Sequence, residues 1–196
     1  MQKIKIQKNK GFTLIETLVA ISLFSFSAIA LLVTLSGGIR DMDYVKNKFI
    51  AENLAVEGVE YVRNIRDTYA LYSGTNPAGW QAFIAKFSQC VKNAGDFCYF
   101  DNTGIDFSDQ TQPIVDINVT QCSPVCPPLR VNLNTGKYDY DSNNSTSFFT
   151  RKIEIEYPTN LNNGAEVKVY STVTWQDGAR RYETVFTENL FNWITP

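Results

Sequence analysis

A single carboxylate lies near the start of a long apolar segment. Glu16 follows a short basic leader, and no further charged residue occurs until Arg40. A carboxylate at membrane depth costs roughly 2.5–3.5 kcal/mol on insertion scales, so an acid in such a position is expected to have a function. Glu16 is therefore the first candidate functional residue of the chain.

The four cysteines are the second set of candidate functional residues, because they could form disulfides or bind a metal. Cys90, Cys98, Cys122 and Cys126 all follow the apolar segment. If the leader stays in the cytoplasm they emerge in an oxidising compartment, where an even count predicts two disulfides. Three pairings are possible, and the local ones, Cys90–Cys98 and Cys122–Cys126, are favoured because each closes a short loop rich in turn-forming residues. A zinc site is the alternative, but zinc motifs usually have C-x2-C spacing or histidine ligands, and the chain has no histidine.

Charge and composition disfavour two function classes. Without histidine, a Walker loop or a G-x-S-x-G motif, no catalytic constellation is present, and we expect the chain not to be an enzyme. Four of the 18 basic residues lie in the leader, which leaves 14 against 20 acidic residues after Gly11. This acidic balance argues against nucleic acid as a partner.

The apolar segment must itself be a membrane element. Phe12–Leu35 covers about 24 residues, or ~36 Å as a helix, which is enough to span a bilayer and too long for a secretory signal core. The positive leader is expected to hold the N-terminus in the cytoplasm, which predicts a single-pass membrane protein.

Beyond Arg40 the pattern predicts an amphipathic continuation of the same helix, about 55 residues in all. Two apolar stripes are expected to pack on the chain's own domain. The first consists of Met42, Val45, Phe49, Val56 and Val59, and the second of Ile50, Leu54, Tyr61 and Ile65.

The last third alternates as β-strands do. Asn134-Thr-Gly and Asp177-Gly178 are turn sequences between alternating segments, and they predict antiparallel hairpins. The predicted fold class is α+β, a long N-terminal helical stalk packed on a C-terminal antiparallel sheet. The predicted regions are a leader at 1–11, the membrane half of the stalk at 12–36, its amphipathic half at 37–68, a variable region with a short helix and the cysteines at 69–128, and the sheet at 129–196.

One loop has a partial calcium pattern. Asp139, Asp141 and Asn143 alternate as in an EF-hand loop, but Asn144 replaces its glycine and Thr150 replaces its bidentate glutamate. A polar turn is the expectation, with calcium at Asp139 and Asp141 as the alternative; otherwise no cofactor or metal is expected.

The residues Lys10-Gly11-Phe12-Thr13-Leu14-Ile15-Glu16, followed by the apolar helix, resemble the class III signal of type IV pilins and type II secretion pseudopilins. The motif covers about 25 residues. Phe149-Thr-Arg-Lys-Ile-Glu-Ile, Thr174-Trp175 and Leu190-Phe-Asn-Trp193 are similar to the C-terminal half of minor pilins of the PilV or GspI type.

This resemblance implies a maturation path. A prepilin peptidase would cut between Gly11 and Phe12 and methylate the new Phe12 amine. In a filament, Glu16 would pair with the Phe12 amine of a neighbouring subunit. The implied partners are other pilin subunits through the stalk, the peptidase, the inner-membrane assembly platform and membrane lipid. The implied location is first the inner membrane, which the chain spans once, and then a surface pilus or a periplasmic pseudopilus.

Three functions remain open. Major pilins commonly carry a proline where this chain has Val33, which favours a minor pilin or a pseudopilin of a secretion or DNA-uptake system. The third possibility is a binding module or adhesin displayed by the filament through the cysteine-rich residues 89–128.

Overall fold

The computed structural model describes residues 11–72, 78–92, 95–101, 117–157 and 165–193. The chain divides into two compact units, Met1–Val45 and Lys46–Pro196, with the division inside the first helix. The helices are α1 (Leu14–Tyr72) and α2 (Ala78–Lys86), and the strands are β1 (Phe97–Asp101), β2 (Asn118–Cys122), β3 (Pro128–Val131), β4 (Tyr138–Asp139), β5 (Ser145–Glu156), β6 (Glu166–Asp177) and β7 (Arg180–Phe191).

In the first unit, α1 is long and apolar enough to cross a membrane. Its large apolar side chains are exposed in this unit, from Phe12 at 82% to Val19 at 51%. Five hydroxyl groups of this segment, those of Thr17, Ser22, Ser25, Ser27 and Thr34, bond back to helix carbonyls three or four residues earlier. Hydroxyl groups that are satisfied in this way can lie in lipid without a water partner.

In the second unit, an antiparallel sheet is organised around β5. One edge of β5 pairs with β6 over seven residues, and β6 pairs in turn with β7 along its whole length. The other edge is shared, because the first half of β5 pairs with β3 and Ile153, further along, pairs with Cys98 of β1. β2 and β4 extend the sheet from β1 and β3. These elements confirm the α+β class.

The sheet begins earlier in the chain than the boundary at residue 129, since β1 and β2 lie within the region expected to be irregular. Each of these strands has only five residues, and the sequence signal in this region is limited to the alternation of Val115, Ile117 and Val119, which indicates a short strand near β2. The β1 segment is held against β5 by local covalent and backbone links: Ile155 N donates to Cys90 O at 2.8 Å, and Cys90 is bonded to Cys98.

The buried face of α1 differs from the first predicted stripe. Met42, Val45 and Phe49 are 60–73% exposed, whereas Val59 and three members of the second stripe (Leu54, Tyr61 and Ile65) are buried. The buried face also includes small residues, Ala51, Ala55 and Gly58. The prediction that the first stripe is buried was wrong, apart from Val59. The small residues let the helix approach the sheet closely, and a prediction based on hydrophobicity alone overlooks them.

Both predicted hairpins are present. Asn132 closes the first turn, since its side-chain oxygen accepts from Asn134 N and Thr135 N, and Gly136 has a φ of 71°. In the second, Asp177 pairs with Arg180 across a two-residue loop in which Gly178 has a φ of 60°. Positive φ values of this kind favour glycine.

Candidate maturation and assembly site

The predicted scissile residues lie just before the first helix. Gly11, Phe12 and Thr13 have no regular secondary structure, and α1 begins at Leu14. Thr13 caps the helix, because its Oγ1 accepts from Glu16 N at 3.4 Å. Thr13 and Glu16 have the T-x-x-E spacing of a capping box, a signal that our sequence reasoning missed.

The space around Gly11 is open among the described residues. A Cβ added there would have no atom within 4 Å, and its φ lies outside the left-handed region. Neither packing nor backbone conformation in the described residues therefore requires glycine at this position. A requirement for a small residue at position 11 has no source among the described residues.

Phe12 and Glu16 are both exposed at the start of the apolar helix. Within the described residues the Glu16 carboxylate makes no ion pair and accepts no hydrogen bond. Glu16 also lies in the first turn of α1, where the partial positive charge of the helix terminus favours an acid. The stabilisation of an exposed carboxylate by the helix terminus is at most about 1 kcal/mol, which is smaller than the cost of placing a carboxylate in lipid. The structure thus leaves the carboxylate available to a partner outside the chain.

The cysteines form the two local bridges. Cys90 and Cys98 have Cα atoms 5.4 Å apart, and Cys122 and Cys126 have Cα atoms 4.8 Å apart. Both separations are ordinary for disulfides. Cys90 and Cys98 are fully buried in the main core, beside Phe87 and Phe100.

The Asp139–Asn144 loop is a network of turn hydrogen bonds. Asp139 accepts from Asn144 Nδ2 at 2.8 and 2.9 Å and from Asp141 N at 3.1 Å. Asp141 accepts from the backbone and side-chain nitrogens of Asn143, each at 2.9 Å. Among the described residues no cluster of three or more acidic, cysteine or histidine side chains is placed to hold a metal. The loop therefore has the hydrogen bonding of the expected polar turn, and calcium at Asp139 and Asp141 stays the untested alternative.

A buried arginine is a second feature that sequence reasoning missed. Arg151 is 1% exposed on the helix-facing side of β5, where Nη1 lies 3.0 Å from Glu57 Oε2 and 3.2 Å from Leu54 O. Its guanidinium also lies 5.5 Å from the centre of the Tyr61 ring. The alternation of Ile153 and Ile155, extended backwards by one step, places Arg151 on the same face and could have identified it.

Burial also perturbs a neighbouring phenol. Removal from water raises the pKa of Tyr140 above its usual 10.0, although the nearby Arg151 charge acts in the opposite direction. The neutral phenol is thus favoured inside the fold.

Comparison with known proteins adds one finding. Residues 6–32 match the family described as the prokaryotic N-terminal methylation motif. No curated protein and no solved structure matches the chain. The matched residues include the leader, the Gly11–Phe12 bond, Glu16 and the first part of the apolar helix. The chain carries the N-terminal methylation signal of the type IV pilin and pseudopilin superfamily.

Proposed function

We propose that this protein is a minor pilin, a structural subunit of a type IV pilus. A prepilin peptidase cuts after Gly11 and methylates the amine of Phe12. The mature subunit is held in the inner membrane by α1, with its C-terminal unit outside the cytoplasm. It then enters a filament in which α1 packs against the helices of other subunits.

The observation that carries the proposal is the unpartnered Glu16 carboxylate inside the matched methylation motif. Cleavage after Gly11 would create a new cation, the Phe12 amine, four residues before Glu16. A cation on a neighbouring copy would supply the partner that the described residues do not contain. Removing one member of a buried pair typically costs ~3–5 kcal/mol, so such a pair would fix the axial position of each subunit.

The Gly11 environment supports the maturation step. The chain around residues 11–13 is non-helical, as a scissile peptide bond in a protease cleft has to be. No contact or backbone conformation among the described residues requires glycine at position 11, which fits a peptidase that accepts only a small residue there.

The experiment compares Glu16→Gln, which removes the charge and keeps the shape, with the wild type. Glu16→Gln is expected to be processed and inserted normally, but to be depleted from sheared filaments. Ser22→Ala is the matched control, because it changes a polar residue on the same helix whose hydroxyl bonds only to Val19 O in the described structure. Recovery of Glu16→Gln in filaments at the control level would overturn the pairing.

A pseudopilin of a secretion or DNA-uptake system is the second candidate. Val33 lies within α1, which runs from Leu14 to Tyr72 without a proline. Such a helix suits a minor pilin and a pseudopilin equally. A tagged chain found in sheared surface filaments favours the pilus, whereas a tagged chain retained in the cell envelope favours the pseudopilus.

A further inference from the structure

A small cleft lies on the face of the sheet opposite α1. Its volume is about 190 Å³, and one wall is the loop closed by Cys122–Cys126. The residues that line the cleft include Phe97, Val125, Thr174, Lys152, Arg181 and Glu183. The volume equals that of about six liquid water molecules, which suits one small ring rather than an extended polymer.

The floor of the cleft is fixed by strand register. Thr150 of β5 pairs with Thr174 of β6, and Thr174 pairs with Glu183 of β7. Arg181 lies two residues before Glu183 and so points to the same face. Three neighbouring strands thus present two hydroxyls, a carboxylate and a guanidinium on one face of the sheet.

The charged side chains of the cleft differ in whether they already have a partner in the structure. Lys152 is already held, with its ammonium 3.0 Å from Glu154 Oε2 and 4.2 Å from the centre of the Phe97 ring. Arg181 and Glu183, by contrast, make no ion pair within the described part of the chain. Arg181 therefore has five free donors in a planar fork, and Glu183 has free acceptors beside it.

Apolar groups close the other side. Val125 is 67% exposed at the tip of the disulfide loop, and Phe97 forms the adjoining wall. Binding sites for small polar ligands combine such walls with a few fixed polar groups.

We propose that this cleft binds a hydroxylated carboxylate with the size of one sugar ring, namely a uronic acid unit. The carboxylate of the ligand pairs with Arg181, since a guanidinium binds a carboxylate through two parallel hydrogen bonds. The sugar hydroxyls donate to Glu183 and exchange hydrogen bonds with Thr150 and Thr174. The C–H face of the ring packs on Val125. This inference goes beyond the structural role proposed above and does not depend on it.

The test is a saturation-transfer NMR titration of the full-length protein in detergent with glucuronate, glucose and acetate, up to about 10 mM each. Glucuronate is expected to bind, with glucose and acetate at least about tenfold weaker, because each offers only part of the recognised chemistry. Arg181→Gln is expected to weaken glucuronate at least about tenfold. Arg180→Gln is the matched control, since Arg180 is the adjacent arginine on the opposite face of β7, and it should bind as the wild type does.

Three results would overturn the proposal. They are the absence of glucuronate binding to the wild type, equal binding of glucose, and equal loss in Arg181→Gln and Arg180→Gln. Glu183→Gln adds a second measurement, because it should weaken glucuronate by losing its strongest hydroxyl acceptor while leaving Arg181 in place. An unchanged affinity in Glu183→Gln would contradict the proposed orientation of the ring.

Discussion

Arg151 on the sheet is paired with Glu57 on the helix, with Nη1 3.0 Å from Oε2. The two side chains are unequally exposed, at 1% for Arg151 and 38% for Glu57. Nη1 also donates to Leu54 O, so the guanidinium spans one turn of α1. This contact fixes where the second unit's part of the helix lies along β5.

Glu57→Gln should destabilise the second unit by about 1–3 kcal/mol, because it leaves the Arg151 charge buried without an acid. Arg151→Met should cost less than Glu57→Gln, since the carboxylate that remains is partly exposed and can be hydrated. Glu60→Gln is the control on the same helix: Glu60 pairs with Arg63 at the surface, where ion pairs are worth at most about 1 kcal/mol. The measurement is thermal unfolding of the full-length protein in detergent, followed by tryptophan fluorescence. Equal effects of Glu57→Gln and Glu60→Gln would contradict this account.

Gly58 lies where α1 packs closely against the sheet. A Cβ there would lie 2.4 Å from Ser171 Oγ, 3.0 Å from Ile153 Cδ1 and 3.1 Å from Arg151 Cδ. Gly58→Ala should therefore destabilise by about 1–3 kcal/mol, even though alanine is the better helix former by about 1 kcal/mol. Gly38→Ala is the control, because a Cβ there meets no atom within 4 Å. Adding Ser171→Ala to Gly58→Ala should recover part of the loss, and a double-mutant cycle with no coupling would refute the contact.

Reduction of the disulfides should lower the melting temperature, and the two bridges should contribute unequally. Cys90–Cys98 closes the longer loop and is fully buried, whereas Cys122–Cys126 closes a shorter loop at the cleft. Replacing the first pair by alanines should cost about 2–4 kcal/mol, and replacing the second pair should cost less. The check is the melting temperature of each double variant with and without reductant. No shift on reduction of the wild type would count against both bridges.

Stability should fall at alkaline pH because of Tyr140. Burial raises its pKa in the folded state above 10.0, so the folded chain retains a proton that the unfolded chain releases. The stabilisation is fully present below pH 10 and is lost as the pH rises from 10.0 through the raised pKa. Tyr140→Phe should flatten this decline, which melting curves taken on either side of pH 10 would show. A decline of the same steepness in Tyr140→Phe would rule out this phenol as its cause.

Local patterns predicted much of the fold, because each depends on near neighbours in the chain. The β3–β4 and β6–β7 hairpins follow from turn residues such as Gly136 and Gly178, which meet a backbone requirement at their own positions. The membrane helix and the methylation motif are likewise continuous segments. The pairing of the cysteines could be predicted from the sequence because each bridge closes a short loop.

Features that depend on distant contacts were not predicted. The burial of Ala51 and Gly58 on α1 reflects the sheet surface opposite them, which the helix sequence does not contain. The two pairings on one edge of β5 join residues 14–22 and 55 positions apart, beyond the reach of local periodicity. The cleft with Arg181 has the same origin, because four strands (β1, β5, β6 and β7) and a disulfide loop have to be assembled before it exists.

The central claim is that cleavage after Gly11 gives a methylated amine at Phe12 as the partner of Glu16. Mass spectrometry of the N-terminal peptide from the native protein tests it most directly. Gly11→Leu is the variant to compare, because a peptidase that requires a small residue before the scissile bond should leave it uncut. The account predicts a wild-type chain that starts at N-methylated Phe12 and a Gly11→Leu chain that keeps its leader. A native chain that still begins at Met1, or a Gly11→Leu chain with the same mature N-terminus as the wild type, would contradict it.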